Sequence, residues 1–279
     1  MKFTNEYIMA QGIINLKYLD LEVAQTLSEH YHNAQPCKYL VMEDFFTDDI
    51  AHALFENFPS ISDLNVKRKS LNEDKSEDYH FERWHPAFTK IREAIQSPQW
   101  GEMLCKITGI DGLHTTSDAL GSGVHQGKNG SYVDVHIDVN MNPKLGLWRR
   151  INLLVYLNRD WKPEYGGDLE LWNKEMTECV VKVPPTFNTA VIFYTDDNSP
   201  HGYKKINIPE GESRKSFYTY YYTKPEEGVH YRDSKFISRP DDNAARKLAT
   251  SVKETLKING KKLLKTLGLK DLDFQDKNK

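Results

Sequence analysis

The chain has 279 residues, 39% of them hydrophobic and 11% aromatic, and a formal charge of -3. That is enough apolar material for one large domain with extensions, or two small ones, and it excludes global disorder. The near-neutral balance argues against nucleic acid or an anionic membrane as a partner, and no apolar run reaches the ~18 residues of a spanning helix. Cys37, Cys105 and Cys179 lie far apart with no CxxC pair, which suits a reducing cytoplasm better than a disulfide scaffold. The start, Met1-Lys2-Phe3-Thr4-Asn5-Glu6, lacks the basic-then-apolar layout of a signal peptide. A soluble, cytoplasmic protein is expected, its oligomeric state left open.

Tyr18, Leu19, Leu21, Val23 and Leu27 fall at roughly helical spacing, and Lys38–Met42 reads as a strand. Thr47 is placed to cap a helix running to Phe58, before Pro59. Residues 60–83 are charged and irregular, which predicts an exposed loop or lid. From Pro86 to Ile107 the spacing of Phe88, Ile91, Ile95, Met103 and Leu104 predicts a helix interrupted near Pro98. The texture then changes. Short β-rich runs over 131–137, 151–157, 168–172, 178–183, 190–195 and 216–223 alternate with turn signals such as Gly166-Gly167 and Pro184-Pro185. The expected fold is mainly β with α: a double-stranded β-helix (jelly-roll) core over 116–225, braced by N-terminal helices in 1–115. Residues 240–279 hold 10 Lys/Arg against 6 Asp/Glu. Leu248, Val252 and Leu256, then Leu263, Leu264 and Leu267, predict an amphipathic helix pair split at Asn259-Gly260 within a C-terminal extension, 226–279. Packing on the core is its expected role, ahead of partner docking or association with anionic lipid.

One stretch carries chemistry. Tyr132–Asp138 is strand-like and ends in His136-Ile137-Asp138, two ligand types that leave the same face of an extended chain. His201 follows Asp138 by 201 − 138 = 63 residues, a natural separation where a jelly roll returns a later strand beside an earlier one. Two imidazoles and a carboxylate on one face of an octahedron form the facial triad of non-haem Fe(II) oxygenases, with zinc as the alternative. Arg214 opens a strand with no acidic residue of its own. A buried guanidinium needs an anion, and a bidentate 2-oxoglutarate carboxylate would satisfy it, with Ser216 adding a hydroxyl on the same face.

The ordered segments Tyr132–Asp138, Arg149–Trp161, Gly166–Trp172, His201-Gly202 and Arg214-Lys215-Ser216 resemble the prolyl-4-hydroxylase-like branch of the Fe(II)/2-oxoglutarate dioxygenase superfamily. The specific part is "YLNRDW" followed by "GGDLELW" between the ligands, and the likeness spans about 116–223. It implies His136, Asp138 and His201 as iron ligands and Arg214 as the partner of the distal 2-oxoglutarate carboxylate. Tyr156 stands where relatives place a tyrosine on that carboxylate, and Asn152, four residues earlier, is a further candidate. Relatives often carry a tyrosine about ten residues before the first ligand. Here His125-Gln126 stands there instead, making Gln126 a candidate for the cosubstrate and His125 for the substrate. Loops 60–85 and Asn140–Trp148 are candidate walls of the substrate channel, with Trp148 the nominated contact. The resemblance implies O2 as oxidant, ascorbate as a candidate reductant, release of succinate and CO2, and hydroxylation of an unactivated C–H bond. The carboxylate of Asp138 favours hydroxylation over chlorination, since family halogenases lack it, while desaturation or epimerisation would use the same ligands. A small molecule, a glycan precursor or a prolyl or peptidyl residue are the candidate substrates. The rivals are a non-catalytic jelly-roll binding module and a zinc hydrolase built on two histidines and a carboxylate.

Overall fold

The structure, a computed structural model, describes residues 10–118 and 120–266, with side chains as far as Gly260. Five α-helices are described: α1 (Leu21–Asn33), α2 (Asp48–Glu56), α3 (Pro86–Gln96), α4 (Pro98–Thr108) and α5 (Ala244–Thr266). The strands are β1 (Tyr39–Met42), β2 (Val66–Lys69), β3 (Glu73–Asp78), β4 (Ser122–Gly127), β5 (Tyr132–Ile137), β6 (Met141–Asn142), β7 (Leu147–Tyr156), β8 (Leu169–Trp172), β9 (Cys179–Val183), β10 (Thr189–Tyr194), β11 (His201–Tyr203), β12 (Arg214–Thr223) and β13 (Lys235–Phe236).

All pairings between these strands are antiparallel, and the main path runs β1-β10-β7-β12-β4-β3-β5-β11-β8-β9. This is the expected jelly roll. One layer ends at β4 and the other begins at β5, with β3 turning the corner: its Ser76–Asp78 end pairs with β4 and its Glu73-Asp74 end with β5. The reading of 60–83 as an irregular loop is therefore corrected. Much of it is a β2–β3 hairpin in the sheet, and its charged residues bury their groups against one another.

The helices brace one layer, and the reason lies in the two-residue period of β7 and β12. Ile151, Leu153, Val155, Leu157, Phe217 and Tyr221 point to the helices, where they join Ile91, Ile95, Trp100 and Leu104 in one buried cluster. Each such side chain contributes about 2 kcal/mol by leaving water. Trp100 Nε1 donates to Tyr221 Oη at 2.9 Å, and that hydroxyl donates to the Ile95 carbonyl, so the polar tips are satisfied. The alternate residues, Asn152, Leu154, Tyr156, Ser216, Tyr218 and Tyr220, face the interior cavity. Both faces of β7 are covered, which is why its sequence runs almost continuously apolar. The break between α3 and α4 falls at Ser97-Pro98, where Ser97 Oγ caps α4 by accepting from Trp100 N.

The C-terminal expectation needs two corrections. The backbone is one continuous helix, Ala244–Thr266, with no split at Asn259-Gly260. The Leu248, Val252 and Leu256 row is exposed, and the helix packs instead through Thr250 and Glu254, 4% and 6% exposed. Hydrogen bonding to the body outweighs the apolar stripe there: Thr250 Oγ1 accepts from Asn72 Nδ2 and Lys253 Nζ donates to Asn72 Oδ1. The side chains of Leu263 and Leu264, and Leu267 altogether, lie outside the described residues. Among the described residues no helix is long and apolar enough to cross a membrane.

Candidate active site

β5 and β11 are neighbours, and their register places His201 opposite His136. Asp138 follows β5 immediately. The Nε2 of His136 lies 3.4 Å from Asp138 Oδ1 and the Nε2 of His201 3.9 Å from Oδ2. One ligand atom from each of the three residues falls within 4.8 Å of the others. Each imidazole is fixed from behind: Nδ1 of His136 donates to the Asp134 carbonyl and Nδ1 of His201 to that of Ser199, both at 3.0 Å. The Nε2 lone pairs are thereby left for a metal. Burial, and then the neighbouring His136, push the His201 imidazole down to about 4, so it is neutral at physiological pH. Burial raises Asp138, but the surrounding His136, His201 and Arg149 outweigh it and hold the carboxyl well below its usual range. The donor set suits a divalent metal.

The same cavity is lined by Arg214, Ser216, Tyr156, His125 and Tyr203. Arg214 is 2% exposed and heads β12. Its Nε donates to the Gly167 carbonyl at 2.9 Å, and its guanidinium lies 4.1 Å from the Tyr203 ring centre and 4.9 Å from that of Tyr156. Among the described residues it has no salt bridge, so a buried cation faces the cavity without a counter-ion. Gly167 is glycine for a reason beyond its φ of +78°: a Cβ there would lie 2.6 Å from Ile206 Cγ2 and 3.2 Å from Arg214 Cδ. Ser216 Oγ lies 3.2 Å from His125 Nδ1, whose Nε2 lies 3.4 Å from the Tyr203 hydroxyl. Burial and the charges of Lys75 and Arg214 hold His125 well below its ordinary value, hence neutral. Asn152 faces the cavity too, donating to Asp138 Oδ2 at 3.4 Å with its own Oδ1 buried and without a partner among the described residues.

Two nominated residues are not brought in. Gln126 points to the other face of β4, where Nε2 donates to the Pro59 carbonyl and to Ser213 Oγ; strand alternation gives the cavity to His125 and denies it to its neighbour. Trp148 lies at the far end of β7 under the Arg150 guanidinium, 3.9 Å from its ring centre, and does not line the cavity. Of the candidate 60–85 wall, residues 79–85 do not line the cavity, whereas Lys75 and Glu77 do. Phe81 is buried in the helix-side core against Phe88 and Phe217, and Arg83 and Trp84 bond the Asp78 carboxylate.

The residues of the 60–85 wall that reach the cavity are not the aromatic ones, and other lining residues were not nominated individually. Lys75 and Glu77 reach the cavity from β3, with Lys75 Nζ 2.7 Å from Glu77 Oε1 and Arg68 Nε 2.7 Å from Oε2. Burial opposes ionisation of Glu77, yet Lys75 and Arg68 together keep its carboxyl well below the normal range. Tyr203, Tyr218 and Tyr220 were legible, being two residues on from His201 and in step with Ser216. Arg149 was not. A register shift between Tyr221 and Tyr222 in the β7–β12 pairing brings its guanidinium over Tyr220, with Nη1 3.5 Å from Asp138 Oδ2.

Comparison with known proteins agrees with this geometry. The model of the 2OG-Fe(II) oxygenase superfamily matches residues 122–222, a little over a third of the chain. No protein of curated function matches the sequence. Among solved structures, a prolyl-4-hydroxylase from Pseudomonas putida superposes with a TM-score of 0.52 at 16% identity, over 71% of this chain and 98% of that one. A Trichoplax adhaerens prolyl hydroxylase, in complex with a hypoxia inducible factor peptide fragment, gives 0.51 at 19% identity, over 72% and 91%. HygX from Streptomyces hygroscopicus, with nickel, 2-oxoglutarate and hygromycin B bound, gives 0.50 at 12% identity, over 75% and 97%. These likenesses show the fold, and residues 122–222, which carry the triad, are similar to the 2OG-Fe(II) oxygenase superfamily model.

Proposed function

We propose that this protein hydroxylates an unactivated C–H bond of a small-molecule or peptidyl substrate, with 2-oxoglutarate as cosubstrate. One observation carries the reading: Arg214, a buried guanidinium without a salt bridge among the described residues, opens onto the cavity that holds the His136–Asp138–His201 triad. Zinc hydrolysis does not in itself require such a cation, whereas a dicarboxylate that reaches the metal and needs its far end held does. Bound Fe(II), with 2-oxoglutarate and O2, would supply the oxidising chemistry and release succinate and CO2. The chain's own residues do the rest. His136, Asp138 and His201 hold the metal through one face; Arg214 takes the distal carboxylate, flanked by Ser216 and Tyr156. Neutral His125, between Ser216 and Tyr203, orients both hydroxyls. Tyr156, Tyr203, Leu154 and Leu169 keep bulk water from the reacting centre.

Lys75 and Glu77 form a zwitterionic edge to the cavity, which favours a polar substrate over a hydrocarbon. The neighbours span a peptide complex and a complex with hygromycin B, so the fold itself does not choose between substrate classes. The free cysteines Cys37, Cys105 and Cys179 fit a reducing, cytoplasmic setting, and ascorbate is the reductant to include in assays. The test is succinate release on aerobic incubation with Fe(II) and 2-oxoglutarate, over a panel of amino acids, peptides and sugars. Wild type should exceed a His136→Ala control. Equal release by the two across the panel would refute the proposal.

A further inference from the structure

A second buried charged cluster lies behind the metal strand. Arg239, between β13 and α5, donates Nε to Glu170 Oε2 at 2.9 Å and Nη1 to Asp134 Oδ1 at 3.2 Å. Arg246 of α5 donates to Asp134 Oδ2 at 2.7 Å, and the Asn72 amide reaches the same oxygen at 3.1 Å. Asp134, Glu170 and Arg239 are 6%, 3% and 5% exposed. Asp134 and Glu170 with Arg239 and Arg246 therefore form one largely buried ionic network, to which Asp242 adds a third carboxylate, 3.7 Å from Arg246 Nε.

Its placement follows the metal ligands. A register shift between the His201 and Tyr203 pairs inserts an extra β5 residue, so Val133 and His136 both face the cavity while Asp134 turns away. The Asp134 carbonyl is the one that orients His136. Glu170 is registered on Gly202, the residue after His201. Because β11 lies between β5 and β8, Arg239 spans the His201 strand from the strand on one side to the strand on the other. The same segment runs along β5 itself: Phe236 is registered on His136 with ring centres 5.5 Å apart, and Asn140, just past Asp138, exchanges hydrogen bonds with 230–232.

We propose that residues 230–253 form a latch that fixes the spacing of the two histidine-bearing strands, with Arg239 as the positioning residue. The proposal rests on reading the triad as a metal centre. It goes further in making the C-terminal segment, outside the region matched by the superfamily model, a determinant of metal affinity. An ion cluster that served the fold alone would not be felt by the metal. Supporting groups behind metal ligands are worth about 10- to 100-fold in affinity.

Arg239→Met keeps the bulk and removes the charge. Metal-free protein is titrated with Co(II) at a temperature where circular dichroism shows the variant folded, and thermal midpoints are measured in parallel. The expected Kd is raised about tenfold over wild type, with Arg239→Lys falling between the two. An unchanged Co(II) Kd in folded Arg239→Met, whatever its midpoint, overturns the proposal. If Arg239→Met does not fold, Glu170→Gln takes its place: a Kd raised roughly threefold or more supports the latch, and wild-type affinity overturns it. Failure of wild type to bind Co(II) better than His136→Ala would sink the metal reading, and this proposal with it. That outcome is distinct from a wild type that binds and a latch variant that binds equally well.

Discussion

Arg214→Met separates the cost of a buried cation from its use. In the absence of an anion the guanidinium is 2% exposed and makes no salt bridge among the described residues. An apolar side chain of similar length should leave the fold as stable as wild type, or up to about 1–4 kcal/mol more stable. Binding of 2-oxoglutarate reverses the balance. Losing one partner of a desolvated charge pair costs about 2–5 kcal/mol, and about 3 kcal/mol corresponds to a Kd raised roughly 100-fold. The assay is anaerobic titration of Co(II)-loaded protein with 2-oxoglutarate, with thermal midpoints at a ligand concentration near 100 times the wild-type Kd. There the ligand stabilises wild type by about 2.7 kcal/mol, a rise of roughly 5–10 °C. The variant, near half-saturation, should gain only about 1 °C. A 2-oxoglutarate Kd within threefold of wild type, or a parallel loss of Co(II) affinity, would show that Arg214 is structural and remove the main support for the cosubstrate.

Three further outcomes are expected. The His201 imidazole is pushed down to about 4 by burial and His136, so between the ordinary value of ~6.5 and that point the unfolded chain binds a proton that the fold refuses. Its contribution of roughly 3 kcal/mol is complete above about pH 6.5 and lost as pH falls towards 4. The metal-free midpoint should decline across this window more steeply in wild type than in His201→Gln; identical pH profiles would contradict the assignment. Glu77→Gln strands Lys75 and Arg68 without their shared counter-charge; with Arg68 partly exposed, unfolding in urea should show a loss of roughly 2 kcal/mol, and no loss would mean water screens the trio. Gln126→Leu breaks the bonds to Pro59 and Ser213 at roughly 1–2 kcal/mol of stability, while the 2-oxoglutarate Kd stays at the wild-type value; a weakened Kd would return Gln126 to the site.

What could be read from the sequence was what obeys local periods. His136, Asp138 and His201 announced themselves by ligand type and strand texture, and Arg214 by the absence of any acid in its own strand. The β7 and β12 runs were found as strands because both faces are apolar or aromatic. Glu73–Asp78 was lost because Glu-Asp-Lys-Ser-Glu-Asp has no strand propensity; it becomes a corner strand only when β4 and β5 offer both edges and Arg68 and Lys75 neutralise Glu77. The choice between His125 and Gln126 turns on a facing that a one-residue shift inverts. Arg149 and Asp134 owe their orientations to register shifts, which leave no mark in composition. On α5 the apolar row was visible and misleading, because the helix is held by Arg246, Thr250 and Lys253 through partners about 110 to 180 residues away.

That spread of partners also bears on how the molecule comes into being. Leu40 is registered on Ile192 and Ser76 on Gln126, while the Asn72 amide meets Thr250 Oγ1. Sheet pairings of such long sequence separation place the fold in the slow, topology-limited class. As it leaves the ribosome, β1 and the β2–β3 hairpin must wait for strands not yet made, with open edges that invite misplaced pairing. The two histidines can pair across β5 and β11 once residue 203 has emerged, but Arg239 and Arg246 arrive later still. Under the proposed latch, full metal affinity comes only once residues 239 to 246 have joined the sheet, and their loss would prolong the interval in which the unbraced sheet is exposed to aggregation.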